Sequence, residues 1–336
     1  MTADTRPVRD SEQLDWPNLA AYLRQELGVA GDMKVRQFAG GHSNLTYELQ
    51  FDEQRFVLRR PPFGPVPPRA HDMAREYRAL AALHPHFPLA PRPYLLCEDT
   101  TIIGSIFYVM ERRRGIAMQN ADASLRPEIS ASMIDTLAAL HAVDVSTPDL
   151  AALGKPAGFV ARQIRGWTER WHGSKTSEVP DMEWLARWLD ERIPPDSPRV
   201  ALVHGDFKPD NVMLDEADPG RISAVFDWEM SALGDPLVDL GIVLCYWIHA
   251  TTEIPSVTIG RGWYTRDEII ARYEETTRMK IDDIALYEVF AVFKVVVIAQ
   301  QIYARFVRGQ TDDPRFAGLG GTVSRLAGIA KRLAIH

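Results

Sequence analysis

Residues 202–211 read Leu-Val-His-Gly-Asp-Phe-Lys-Pro-Asp-Asn, and sixteen residues beyond Asn211 stands Asp227, in the run Val-Phe-Asp-Trp-Glu. Asp206, Asn211 and Asp227 carry the oxygen groups that a magnesium-assisted phosphoryl transfer needs. One carboxylate orients the accepting hydroxyl, while an amide oxygen and a second carboxylate ligate the ion. Glu229 adds a further oxygen for the same or a second ion, and Lys208 a cation for the moving phosphate or for solvent. The competing explanation is ordinary turn chemistry, in which Asp and Asn side chains bond nearby backbone.

The elements that must position these groups can be read around them. Lys208-Pro209 blocks helix continuation and Gly205 permits an unusual backbone angle, so residues 204–211 form a loop. Apolar runs at 201–203, 212–214 and 222–226 predict short buried strands, with the three polar residues at strand ends. Gly234-Asp235-Pro236 ahead of an apolar run predicts a helix start, Asp235 as N-cap and Pro236 at the first helical position. Upstream, residues 35–38 and 45–49 read as strands joined by a glycine turn. There the amides of Gly40 and Gly41, the Ser43 hydroxyl and the Asn44 amide could cover nucleotide phosphates or serve a plain hairpin. Residues 56–60 form the next strand, on which alternation turns Arg60 toward solvent and Arg59 to the opposite face. A Pro-rich loop (61–68) precedes a helix over 70–83 carrying Glu76. A strand over 106–110 runs into the polar break 111–115.

The spacing of His204, Asp206 and Asn211 matches the catalytic loop of the protein-kinase superfamily, with Asp227 where that superfamily keeps a metal-binding Asp. The form His-Gly-Asp-x-x-Pro-x-Asn, followed by Asp-Trp-Glu and by Gly-Asp-Pro-Leu-Val-Asp-Leu at 234–240, resembles the aminoglycoside phosphotransferase and choline kinase branch. That resemblance implies an α+β, protein-kinase-like two-lobe fold. A small N-terminal lobe with an antiparallel sheet (1–111) would be followed by a larger helical C-terminal lobe (112–336). It implies ATP and Mg2+ as the reagents, Asp206 and Lys208 at the reacting atoms, and Asn211, Asp227 and Glu229 around the ion. Arg59 stands where relatives carry the Lys that grips the α- and β-phosphates, with Glu76 as its ion-pair partner. The backbone near Met110 and Arg112 would meet the adenine ring, and the element beginning at Asp235 would support the catalytic loop from beneath. Two departures stand out. The glycine turn lacks the Gly-x-Gly-x-x-Gly form, and a planar guanidinium is no equivalent of an ammonium. Arg59 also reads as a surface strand cation, and Glu76 as part of a solvated helix face.

Gly-Gly-His-Ser-Asn-Leu-Thr-Tyr at 40–47, Phe-Val-Leu-Arg-Arg-Pro-Pro at 56–62 and the Ala-His-x-x-x-Arg-Glu-Tyr-Arg-x-Leu run at 70–80 look most like the kinase-like domain that animals fuse to acyl-CoA dehydrogenases. This implies a hydroxylated acyl chain, such as a 4-hydroxyacyl-CoA, as acceptor. The segment between Asp227 and Gly234 is too short for the activation segment of a protein kinase, which favours a small-molecule hydroxyl acceptor. An aminoglycoside kinase and a non-catalytic nucleotide-binding protein are the alternatives. On the helix over 159–171, Arg162, Arg165 and Arg170 beside Trp167 and Trp171 suit either an anionic acceptor or a solvated basic face.

The whole chain agrees with two lobes: 336 residues, 46% of them hydrophobic, suffice for substantial cores. A formal net charge of −7 without a basic stripe argues against general nucleic-acid binding. Cys97 and Cys245, far apart in apolar surroundings, predict buried free thiols of a reducing compartment. The polar amino terminus lacks a signal-peptide core, so a cytoplasmic location is expected. The apolar stretch 289–299, interrupted by Lys294, predicts a buried helix rather than a membrane span. Further helices are expected over 127–141, 182–193, 237–247, 266–277, 283–307 and from about 316.

Overall fold

The computed structural model describes residues 4–38, 44–64, 72–247, 254, 256–258, 260–311 and 313–335. The chain divides into two compact units, Met1–Arg114 with Ala224–Glu229, and Gly115–Ser223 with Met230–His336. The expected boundary after residue 111 thus falls three residues early, and it did not foresee that 224–229 return to the first unit.

The first unit is built on a six-stranded antiparallel sheet of β1 (Thr5–Arg6), β2 (Met33–Phe38), β3 (Leu45–Phe51), β4 (Gln54–Arg60), β5 (Pro93–Cys97) and β6 (Phe107–Glu111). The strand order is β1-β2-β3-β4-β6-β5. Two helices belong to it, α1 (Trp16–Leu27) and α2 (Met73–Leu83). Alternation decides what each strand shows to each face. Tyr47, Leu49 and Phe51 of β3, Phe56 and Leu58 of β4, and Phe107 and Val109 of β6 join Leu19 and Leu23 of α1 in one core cluster. Arg60 lies two residues beyond Leu58, and it is buried at 4% exposure rather than turned to solvent as expected. Its guanidinium donates to the Pro61 and Ile103 carbonyls and stacks 4.1 Å over the Phe63 ring. The expectation failed because that face also carries Leu58, which packs in the core cluster joined by α1. That helix has sequence signals of its own: Asp15 caps it by accepting from the Asn18 amide, a proline opens it, and Gly28 closes it at φ +64°.

The second unit is largely helical. It contains α3 (Arg126–His141), α4 (Pro148–Ala151), α5 (Phe159–Ser174), α6 (Pro180–Asp190), α7 (Leu237–Trp247), α8 (Arg266–Thr277), α9 (Ala285–Val307) and α10 (Leu319–Ile335). Small strands β7 (Ile116–Ala117), β8 (Ala201–Val203), β9 (Val212–Leu214), β10 (Ile222–Val225) and β11 (Ala232–Gly234) form two short sheets, β10-β9-β7 and β11-β8. Helix α9 is the spine, packed against α5, α7 and α10. By length and composition it could cross a membrane, which the apolar stretch 289–299 alone did not show. Here its Val292, Phe293, Val296 and Val297 are fully buried, as the reading of a core helix anticipated. Gly241 of α7 lets the two helices touch, since a Cβ there would lie 2.5 Å from the Tyr287 carbonyl oxygen. Helix α8 opens on a capping box in which Thr265 and Glu268 satisfy each other's backbone amides. Cys97 and Cys245 are buried free thiols.

Candidate active site

In the second unit the loop leaving β8 is fixed mainly through its main chain. The amides of His204 and Gly205 donate to the two oxygens of Asp239, at 2.6 and 2.8 Å. Asp239 is fully buried on α7 and also meets His141 Nε2 at 3.2 Å, while His141 Nδ1 lies 2.7 Å from the Tyr273 hydroxyl. Burial pushes the Asp239 carboxyl up. The His141 hydrogen bond, the nearby histidines and the Gly205 amide outweigh it and hold the group below the ordinary carboxylate value. Asp239 therefore supports the loop from beneath. Asp235 is the helix cap foreseen from sequence, accepting from the Leu237 amide at 3.0 Å, and it takes the Tyr287 hydroxyl at 2.6 Å as well.

Gly205 sits at φ +82°, and a Cβ there would come within 2.7 Å of the Met230 carbonyl oxygen. Glycine is required on both counts. The next residue, Asp206, receives its order from Asn211, whose side-chain amide donates to the Asp206 carbonyl at 2.8 Å and to its carboxylate at 3.0 Å. With the NH2 group turned inward, the carbonyl oxygen of Asn211 is the atom left to ligate an ion. Lys208 pairs with the Asp206 carboxylate at 2.8 Å and lies 5.2 Å over the Tyr246 ring. Lys294 of α9, which the sequence marked only as a break in an apolar run, donates to the Gly205 carbonyl and lies 4.0 Å from the Asp206 carboxylate. Its signal was available, since a lone lysine in such a helix must have a partner.

On α5 the tryptophans are buried and Arg162, Arg165 and Arg170 are exposed. Arg165 pairs with Asp190, and Arg170 stacks 4.6 Å over the Trp167 ring. This is the amphipathic helix with a basic outer face.

In the first unit Arg59 is far from a surface cation: its side chain is only 12% exposed. Its forked guanidinium reaches Glu76 of α2 at 2.9 Å with one nitrogen and Asp227 at 2.6 Å with the other, and lies 3.9 Å from Glu229. A planar fork can join two carboxylates in this way, where an ammonium acts as a point charge. Glu76 is almost fully buried. Burial drives its carboxyl up to about 7 against the pull of Arg59, and the charges of Asp227 and Glu229 push the same way. Burial and Glu76 likewise hold the Tyr108 phenol well above its usual value. Asp227 adopts φ +68°, a conformation that Asp tolerates better than most residues. The flanking segment is held by the Val225 amide donating to Leu89 and by Trp228, which packs on Phe87.

The Asn44 side chain donates to Glu229 at 3.0 Å. Gly40, Gly41 and Ser43 lie outside the described residues. Met110 is buried opposite Val57. The Arg112 side chain pairs with Glu48 at 2.8 Å and stacks 5.0 Å over Phe38, so it braces the sheet.

Every oxygen donor singled out, Asn211 in the second unit and Asp227 and Glu229 in the first, is hard and suits Mg2+. Among the described residues no three His, Cys, Asp or Glu side chains form a metal cluster.

Residues 34–275 match the model of the Phosphotransferase enzyme family. The chain belongs to that family. Mouse acyl-CoA dehydrogenase family member 10 is 34% identical over 97% of this chain, and the chicken family member 11 is 34% identical over 91%. This phosphotransferase-family chain spans only 32% and 41% of those relatives' lengths. A crystal structure from Ralstonia eutropha, provisionally named an aminoglycoside phosphotransferase, is 31% identical. It superposes with a TM-score of 0.82, covering 96% of this chain and 99% of that one. A thermostable mutant of aminoglycoside phosphotransferase APH(4)-Ia, in ternary complex with ADP and hygromycin B, shares the fold at a TM-score of 0.62 and 17% identity. It covers 93% of this chain and 97% of its own. The kinase-like α+β fold expected from the motifs is the fold of the family.

Proposed function

We propose that this protein transfers the γ-phosphoryl group of ATP to a hydroxyl of a small molecule, with Mg2+. The observation that carries the reading is the hold on Asp206: Asp239 fixes the preceding amides while Asn211 fixes its carbonyl and carboxylate. A carboxylate locked in this way is suited to accept the hydrogen bond of an attacking hydroxyl. As the acceptor oxygen bonds to the γ-phosphorus, the bond from that phosphorus to the β-bridging oxygen breaks, and the hydroxyl proton passes toward Asp206. Mg2+, when bound, neutralises charge on the phosphate oxygens. Asn211, Asp227 and Glu229 are proposed as oxygen donors for it on their residue types and on the family motif they stand in. Arg59, braced by Glu76, is the proposed phosphate-side cation, and Lys208 serves the moving group. A cytoplasmic location belongs to the same proposal, supported by two free buried thiols.

For the acceptor we favour a hydroxyacyl-CoA or hydroxy acid, because the relatives matched over nearly the whole chain are acyl-CoA dehydrogenase family members. A non-catalytic nucleotide-binding role draws on one observation, the direct bond from Arg59 to Asp227. Release of ADP from ATP with Mg2+, measured against hydroxyacyl-CoAs, hydroxy acids, choline and aminoglycosides, separates these readings. Asp206→Asn should lower turnover by about 10²–10⁴-fold and leave ATP binding intact. Loss of ATP binding in that variant, or full turnover, removes Asp206 from its role.

A further inference from the structure

Lys294 stands among apolar side chains on α9 and is 4% exposed. Burying an ammonium is expensive unless it is paired and hydrogen-bonded. Burial pushes its ionisation down, while the charge of Asp206 opposes that shift. Its Nζ has three close contacts, with the charges of Lys208 and Asp239 farther off. The Gly205 carbonyl accepts its hydrogen bond, the Asp206 carboxylate lies at 4.0 Å, and the Trp167 ring centroid lies at 5.4 Å.

The Gly205 carbonyl belongs to the peptide that carries Asp206. Asp239 holds the peptide before it, through the Gly205 amide, and Asn211 holds the peptide after it, through the Asp206 carbonyl. Lys294 completes the series, so three successive peptides are each tied by a different side chain. The middle peptide is held at its N–H by His204 Nδ1 at 3.2 Å, and Lys294 secures its carbonyl end.

We propose that Lys294 is a positioning residue of the phosphotransfer reaction, fixing the Gly205–Asp206 peptide and facing the Asp206 carboxylate with a buried positive charge. This rests on the phosphotransferase reading above. Lys294 acts through Asp206 and not on the nucleotide. Its removal therefore lowers turnover without weakening nucleotide binding, which a general loss of packing would not do.

Lys294→Met keeps the chain length and removes the charge. Its kcat for ADP release should fall about 10²-fold, the scale of an ångström-sized misplacement, while ATP binding stays within twofold of wild type. Hydrogen exchange of the 203–211 peptide should rise at least about tenfold, with α3 unchanged. Lys294→Ala should recover part of its kcat on adding propylammonium but not propanol, because an alcohol fills the cavity without the charge. A Met variant within threefold of wild-type kcat overturns the proposal. So does faster exchange without lower turnover, or equal rescue by the alcohol. A wild-type chain that releases no ADP with any acceptor sinks the phosphotransferase reading itself, and the exchange arm then judges the Lys294–Gly205 contact alone.

Discussion

Replacing Asp239 with Asn tests whether one buried carboxylate holds the catalytic loop. Its oxygens accept from the His204 and Gly205 amides at 2.6 and 2.8 Å and meet His141 at 3.2 Å. Asparagine keeps one oxygen. Whichever way its side chain turns, the NH2 group confronts at least one backbone amide, donor against donor, and the charge is gone. An unpaired buried amide costs about 1–3 kcal/mol, and breaking a buried charged interaction costs about 3–5 kcal/mol in all. We expect a loss of about 3–5 kcal/mol in urea denaturation of the second unit. The sign against pH follows from the depressed carboxyl. The wild-type contribution is present above the ordinary Asp value and is lost as pH falls through the lower folded value, so the difference between the chains should shrink in acid. Turnover should fall by at least about tenfold as the loop loosens. A variant within 1 kcal/mol of wild type at pH 7, with normal turnover, would refute the claim that Asp239 organises this loop.

Glu76, raised to about 7 by burial, stabilises the fold with its proton on. That contribution is complete below the ordinary Glu value and is lost as pH rises through about 7, a swing of about 3 kcal/mol. Glu76→Gln should flatten the dependence between pH 5 and pH 8, and an unchanged slope would show that the carboxyl does not titrate there. Gly205→Ala places a Cβ 2.7 Å from the Met230 carbonyl oxygen at a left-handed φ. It should cost at least about 1–2 kcal/mol in backbone strain and markedly lower turnover, and a fully active Ala variant would contradict that strain.

The sequence by itself determined the family and most of the elements. His204, Asp206, Asn211 and Asp227 stand out by residue type and spacing, because the ion ligation and hydroxyl activation proposed for the site demand particular atoms whatever surrounds them. Helix α8 was legible to the residue, and its start is fixed by the neighbouring Thr265 and Glu268 side chains. The Arg59–Glu76 pair was foreseen through resemblance, and α7 through its Gly-Asp-Pro start. Only the tertiary structure decided what lies opposite each strand face and each buried charge. Arg60 reads as solvent-facing in sequence, yet it is buried and held by the Pro61 and Ile103 carbonyls. Lys294 read as a blemish in an apolar run until α9 met the Gly205 carbonyl, 89 residues away. Resemblance implied that the element beginning at Asp235 supports the catalytic loop, but that Asp239 does so through backbone amides 34 and 35 residues upstream came from packing alone. Local pattern reports an element's own hydrogen bonds and periodicity, whereas the partners of buried charges are chosen by long-range packing.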